Sequence, residues 1–219
     1  MYFPDRTAAG QQLAEQLTDY ADRSDVLVLA LPRGGVPVGF EIAKALRTPL
    51  DVFLVRKLGV PGHRELAMGA IATGGIRVIN EDVVQTLAIP DDTIDLVAAE
   101  EQQELDRRQQ LYRGDRPPPA IAGRIIILVD DGLATGSTMR AAIAAVRQQK
   151  PARIVVAVPV VAAASVEELQ EEVDELVYIL TPEPFHAVGA WYRDFSQVTD
   201  DEIRELLKRA EETGNRTLL

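Results

Sequence analysis

Short apolar runs alternate with amphipathic stretches along most of this chain. Val26 to Leu31, Val52 to Val55, Ile125 to Val129 and Ile154 to Val158 are apolar throughout and rich in β-branched residues. Such runs predict strands buried on both faces, as in a parallel sheet. Helical patterns fall between and after them, at Gly35 to Leu46, Thr138 to Gln149 and Ala162 to Glu172, and Val177 to Leu180 adds a last apolar run. The alternation predicts an α/β fold: an open, mostly parallel sheet flanked by helices.

Two segments interrupt it. In Ala67 to Asn80, Thr73-Gly74-Gly75 separates two apolar runs and predicts a hairpin turn. In Glu81 to Pro119, Asp91 and Asp92 make an N-terminal helix signal, and Ile94, Val97, Leu105 and Leu111 recur at roughly helical spacing. Gly114 and Pro117-Pro118-Pro119 end that pattern. The segment reads as a helical insertion, at about 81–119, between two sheet strands. Its charges, Glu100, Glu101, Glu104, Arg107 and Arg108, read as a solvated helix face in preference to a partner-binding one. Thr199 and Glu202 have capping-box spacing and open a closing helix.

Composition narrows the classes. The 219 residues suit a single domain, 1–219. With no cysteine, disulfide scaffolds, thiolate metal sites and cysteine nucleophiles are excluded. No apolar run resembles a signal peptide or approaches a membrane span, so a cytoplasmic setting without membrane association is expected. The net charge of −11 opposes a nucleic-acid partner. It leaves room for a small anion held by backbone N–H groups, a helix N-terminus and a metal ion.

Ile125 to Thr138, IIILVDDGLATGST, carries the chemistry. A buried strand ends in Asp130 and Asp131, runs into a loop of glycine and hydroxyl residues, and opens a helix at once. In an open α/β sheet the ligand crevice lies at the carboxyl ends of the strands. Gly132 and Gly136 let main-chain N–H groups approach a phosphate, the helix from Thr138 directs the positive end of its dipole at it, and Thr135, Ser137 and Thr138 add hydroxyl donors. The ionised acids only accept hydrogen bonds, so they suit a diol or a metal-bound sugar. Neither a P-loop nor a GxGxxG fingerprint is present. A structural turn with a coincidental acidic pair is the competing explanation.

Val129 to Thr138 resembles the 5-phosphoribosyl-1-pyrophosphate (PRPP) motif of the type I phosphoribosyltransferases. The resemblance implies that Asp130 and Asp131 contact the ribose hydroxyls and reach Mg²⁺ only indirectly, through PRPP or water. It gives the 5-phosphate to Gly132, Ala134, Thr135, Gly136, Ser137 and Thr138. Leu31-Pro32-Arg33-Gly34-Gly35 resembles the family's pyrophosphate loop, and Val55-Arg56-Lys57-Leu58 its Arg-Lys segment, which implies that Arg33, Gly34, Gly35 and Lys57 hold the diphosphate and that Arg33, Arg56 and Lys57 offset its charge. Gly59 to Leu66 would then be a mobile loop with His63 and Arg64 at its tip, or simply a solvated one. The strings RKLGVPGHRELAMGAIA and AVGxWYxDFxQ, with an FxDRxAAGxxLA-like start, are similar to one bacterial subgroup of the family.

The implied activity is phosphoribosyl transfer in nucleotide salvage, with Mg²⁺ as cofactor, PRPP and a small base or nucleotide as partners, and a homodimer as the family-level expectation. The tail, about 181–198, resembles a C-terminal hood, with Phe185, His186, Trp191 and Tyr192 as candidates to stack on a base and Asp194 as the nearby acid. The same aromatics could instead cap the core or a subunit contact. Ala134 stands where hypoxanthine–guanine members carry an acid, so the base is unassigned. A PRPP-binding regulator and a phosphate-sugar hydrolase stay open beside the transferase.

Overall fold

The computed structural model describes residues 2–216, apart from the side chains at 64, 65 and 214–216. In chain order the elements are α1 (Arg6–Ala14), β1 (Val26–Ala30), α2 (Gly35–Leu46), β2 (Leu50–Val52), β3 (Val55–Val60), β4 (His63–Ala72), β5 (Ile76–Ile79), α3 (Glu81–Thr86), α4 (Asp91–Arg113), β6 (Ile125–Val129), α5 (Ser137–Gln148), β7 (Arg153–Val160), α6 (Ala163–Glu172), β8 (Glu175–Leu180) and α7 (Asp200–Arg216). A five-stranded sheet in the order β2-β1-β6-β7-β8 forms the centre, and each neighbouring pair in it is parallel.

The uninterrupted apolar runs are explained by the packing. Every residue of β1 and β6 is buried. Alternate positions feed opposite cores: Val28, Ile127 and Val155 pack with Leu13, Val38 and Ile42 of α1 and α2, whereas Leu29, Leu128 and Val156 pack with Met139, Ile143 and Leu169 of α5 and α6. A strand covered on both faces cannot show polar alternation. The helices facing these cores need only one apolar stripe, which is why they, unlike the strands, kept a readable period.

The order of strands puts a topological switch point between β1 and β6. From β1 the chain proceeds to β2 on one side, and it later returns to place β6 on the other. The loops leaving the carboxyl ends of β1 and β6 therefore diverge and leave a crevice between them.

Two expectations need correction. Val52 to Val55 is not one strand. Leu50–Val52 lies beside β1, Phe53 and Leu54 form a buried link, and Val55 begins an antiparallel three-stranded sheet, β3-β4-β5. Four consecutive apolar residues look alike whether they form a strand or a buried link. Gly59 to Leu66 is not a loop but the tip of the β3–β4 hairpin: Val60 pairs with His63 across Pro61-Gly62, and the register shifts on both sides of Gly59. The 81–119 segment holds two helices, α3 and α4. The Thr73-Gly74-Gly75 turn does join β4 to β5, with Gly74 and Gly75 at φ +89° and +73°. Before α7, the Glu202 N–H donates to Thr199 Oγ1 at 3.2 Å and the Thr199 N–H to Glu202 Oε2 at 3.1 Å, closing the capping box. Among the described residues no helix is long and apolar enough to cross a membrane.

Candidate functional site

Two loops meet at the switch point. The first, 31–35, follows β1; the Leu31 N–H donates to the Val129 carbonyl at 2.8 Å and so lays the loop against the end of β6. Only glycine fits there. A Cβ at Gly34 would stand 1.9 Å from Asp131 Oδ2, and one at Gly35 would stand 2.6 Å from the Val129 carbonyl oxygen. The glycines are thus required by close approach, and that approach brings the 31–35 loop onto the acidic pair.

The second loop leaves β6 through Asp130 and Asp131 and turns into α5. Its floor is fixed by two main-chain bonds, the Leu133 N–H to Val160 O at 2.9 Å and the Ala162 N–H to Leu133 O at 2.9 Å, and by Ser165 Oγ donating to Ala134 O at 2.8 Å. Gly136 closes the turn at φ +66°, in the left-handed region, and no side chain caps α5. Ala134, Thr135, Ser137 and Thr138 are exposed. The result is a solvent-open turn on a rigid floor, with a helix N-terminus aimed into it, which is a geometry suited to a phosphate. Gly132 is needed for a different reason. A Cβ there would meet Val188 and Val160 side chains at 2.5 and 2.7 Å, because the tail segment crosses over this loop.

The acidic pair sits beneath that crossing. The Asp131 N–H donates to Asp130 Oδ1 at 2.8 Å. Burial, and the neighbouring Asp131 charge, push the Asp130 carboxyl well above its usual range. Burial raises Asp131 as well, against the pull of Arg6, whose Nε donates to Asp131 Oδ2 at 2.8 Å. Arg6 was not among the residues picked out from sequence. Its partner lies 125 positions away, and a single arginine near a helix start gives no local sign of that contact.

The cations expected to face a diphosphate are not placed alike. Arg33 Nε lies 3.3 Å from Asp200 Oδ1, an atom that also accepts from the Tyr112 hydroxyl at 2.6 Å. Arg56 Nε donates to Glu101 Oε2 at 2.6 Å. Lys57 is exposed and, as the next residue of β3, lies on the opposite strand face from Arg56. Arg56 instead shares a narrow cleft with Pro32, Leu105, Arg108 and Thr138. Helix α4 therefore roofs the crevice. Glu101 is not part of a merely solvated face, and Arg108, held by Glu104 at 2.6 Å, joins the cations. The run of acid and base at i, i+3 and i, i+4 spacing hid this, since it also describes ordinary surface pairs.

The hairpin tip carries His63 exposed to solvent; the Arg64 side chain lies outside the described residues. In the tail, Val188–Trp191 forms a 3-10 turn. Tyr192 is buried, with its ring 5.4 Å from that of Phe3 and 5.1 Å from that of Phe195, and its hydroxyl donates to the Asp131 carbonyl at 2.6 Å. It caps the core, the second of the two roles open to it. Trp191 stacks on Tyr2 at 5.6 Å, and Phe185 packs against the cluster of Phe3 and Tyr192. His186 is exposed, and Asp194 accepts the Ser196 N–H at 2.9 Å. Among the described residues no three His, Cys, Asp or Glu side chains cluster to hold a metal ion.

Residues 4–191 match the phosphoribosyl transferase domain family. The chain belongs to that family. The phosphoribosyl transferase domain here is 46% identical over 208 residues to two curated proteins from strains of Mycobacterium tuberculosis, named "Putative phosphoribosyl transferase" MT0597 and Rv0571c. The match takes in 95% of this chain and 47% of each relative, so the chain spans about half the length of those proteins. The crystal structure of TT1426 from Thermus thermophilus superposes with a TM-score of 0.86 at 43% identity, over 95% of this chain and 99% of that one.

Proposed function

We propose that this phosphoribosyl transferase domain moves the 5-phosphoribosyl group of PRPP onto a ring nitrogen of a small base and releases pyrophosphate. The bond from C1 to the diphosphate oxygen breaks and its electron pair leaves with the diphosphate. A bond from C1 to nitrogen forms, and the nitrogen's proton passes to solvent. The observation that carries this reading is the open turn 132–138 at the end of β6, floored by main-chain bonds and set beside an acidic pair at a topological switch point. The turn suits the 5-phosphate, Asp130 and Asp131 suit the ribose hydroxyls, and Arg33, Gly34, Gly35 and Arg56 suit the diphosphate, with Arg108 added from α4 and Lys57 on the other face of β3. Charge builds on the leaving diphosphate, so cations fixed beside it lower the barrier most directly.

Two carboxylates, with no third His, Cys, Asp or Glu clustered beside them among the described residues, fit a cation that is held mainly by its substrate. Asp130 and Asp131 would hold Mg²⁺ through PRPP or water, and the ion would supply positive charge to the departing group. Ala134 leaves no carboxylate in the turn to act as a base, so the acceptor is kept open. A homodimer in the cytoplasm completes the reading, and sedimentation tests its first half.

The test is pyrophosphate release from PRPP and Mg²⁺ across a panel of purines and pyrimidines. Release only with an added base supports transfer. Release without a base indicates a hydrolase, and PRPP binding with no release indicates a sensor. Asp130→Asn with Asp131→Asn is expected to abolish PRPP binding and leave the fold intact; unchanged affinity would reject the ribose contact.

A further inference from the structure

Asp131 is held from two directions by residues far away in sequence. Its carboxylate is paired with Arg6, and both side chains are mostly buried, at 11% and 14% exposure. Its carbonyl accepts the Tyr192 hydroxyl. Arg6 is itself fixed: Nη1 donates to the Ser196 carbonyl at 2.8 Å, and the guanidinium carbon lies 3.9 Å from the centroid of the Phe195 ring. A buried guanidinium that bridges a carboxylate and a carbonyl while stacking on an aromatic has little freedom left.

The location of Arg6 is unusual on electrostatic grounds. It is the first residue of α1, whose N-terminus Asp5 caps by accepting the Ala8 N–H at 2.7 Å. A cation in the first turn of a helix opposes the dipole. Local helix energetics therefore do not account for an arginine at this position, whereas the contact with Asp131 does. The oxygen that Arg6 holds is also crowded by the 31–35 loop, because Gly34 lies so close to Oδ2 that no side chain fits between them. Asp131 Oδ2 is thus committed to Arg6 and packed against the 31–35 loop.

We propose that Arg6 is a positioning residue: it fixes the Asp131 carboxylate toward the sugar and ties it to the 192–196 segment of the tail. The inference rests on the PRPP reading and adds to it. Arg6 touches no substrate in this scheme. It acts by removing the freedom of an acceptor that would otherwise have to be oriented at the moment of binding. It also offsets the repulsion between two adjacent carboxylates that share a buried corner.

A double-mutant cycle on PRPP and Mg²⁺ binding, read by calorimetry on the whole chain, tests this, with thermal melting as a control on folding. Arg6→Gln is expected to weaken PRPP about 10- to 100-fold. Arg6→Lys, which keeps the charge but loses the second donor direction, recovers part of that loss. In an Asp131→Asn background, Arg6→Gln costs less than about threefold, because its target is gone. An equal loss in both backgrounds would mean that Arg6 serves the fold at large, and an unchanged affinity would mean that it serves nothing at this site; either overturns the inference. Should Arg6→Gln not fold, the same cycle with Arg6→Lys decides between these outcomes. A wild-type chain that takes up no PRPP overturns the PRPP reading together with this one, whereas wild-type binding that Arg6→Gln leaves intact overturns only the role of Arg6.

Discussion

Between Gly132 and Thr138 the crevice is made of main chain, while across from it Arg33, Arg56 and Arg108 make it of side chains. The first region is anchored to β7 by backbone bonds and to α6 by the Ser165 hydroxyl, and its helix N-terminus faces solvent uncapped. In the second, every guanidinium has a carboxylate partner brought in from outside the sheet: Glu101 and Glu104 from α4, and Asp200 from α7. A phosphate entering the main-chain side meets donors already in place. A diphosphate entering the other side has to displace carboxylates first. Preorganisation thus rests on the strand ends, and adaptability on the roofing helices.

The largest expected effect separates the roof from the floor. Arg113 is buried at the end of α4 and pairs with Asp51 of β2 at 3.1 Å. Arg113→Met leaves Asp51 as an unpaired, mostly buried carboxylate and should cost about 3–5 kcal/mol of stability in chemical denaturation. A loss below about 1 kcal/mol would show that α4 is not anchored there. Next, Gly34→Ala forces a methyl into Asp131 Oδ2 and should cost about 1–3 kcal/mol, with a still greater loss of PRPP affinity than of stability. Affinity falling no faster than stability would place Gly34 outside the site. Gly136→Ala puts a side chain at φ +66° and should cost about 1–2 kcal/mol. Because the strain is local to the turn, phosphate affinity is expected to fall while melting of the β3–β5 hairpin region, followed by hydrogen exchange, stays unchanged. The smallest effect runs the other way. Glu101→Gln releases Arg56 from a pair that is 31% and 28% exposed and should tighten pyrophosphate binding by the ~0.2–1 kcal/mol such a pair is worth. Weaker binding would mean that Glu101 orients Arg56 for the anion instead of competing with it.

The same division governs what could be read from sequence. The turn after β6 was legible because all its parts are contiguous: strand, acids, glycines, hydroxyls and helix follow within fourteen positions, Ile125 to Thr138. The parallel sheet was legible because strands covered on both faces are apolar without interruption. What escaped was made by contact between distant segments. Arg6 reaches Asp131 across 125 positions, and Arg56 reaches Glu101 across 45. Arg56 and Lys57 read as a cationic pair, yet the pleat of β3 sends neighbours to opposite faces. Tyr192 and Trp191 were marked by aromatic content alone, which cannot distinguish a ring offered to a ligand from one packed against Phe3 or Tyr2.

The junction of Phe3 with the tail has a practical side. Phe3 is fully buried; its N–H donates to the Trp191 carbonyl at 2.9 Å, and its carbonyl accepts the Arg193 N–H at 2.9 Å. A change at Phe3 would therefore disturb the 191–193 segment as much as the segment that carries it. Protease clipping before Arg6 should be scored by the fluorescence of Trp191, which senses the detachment directly.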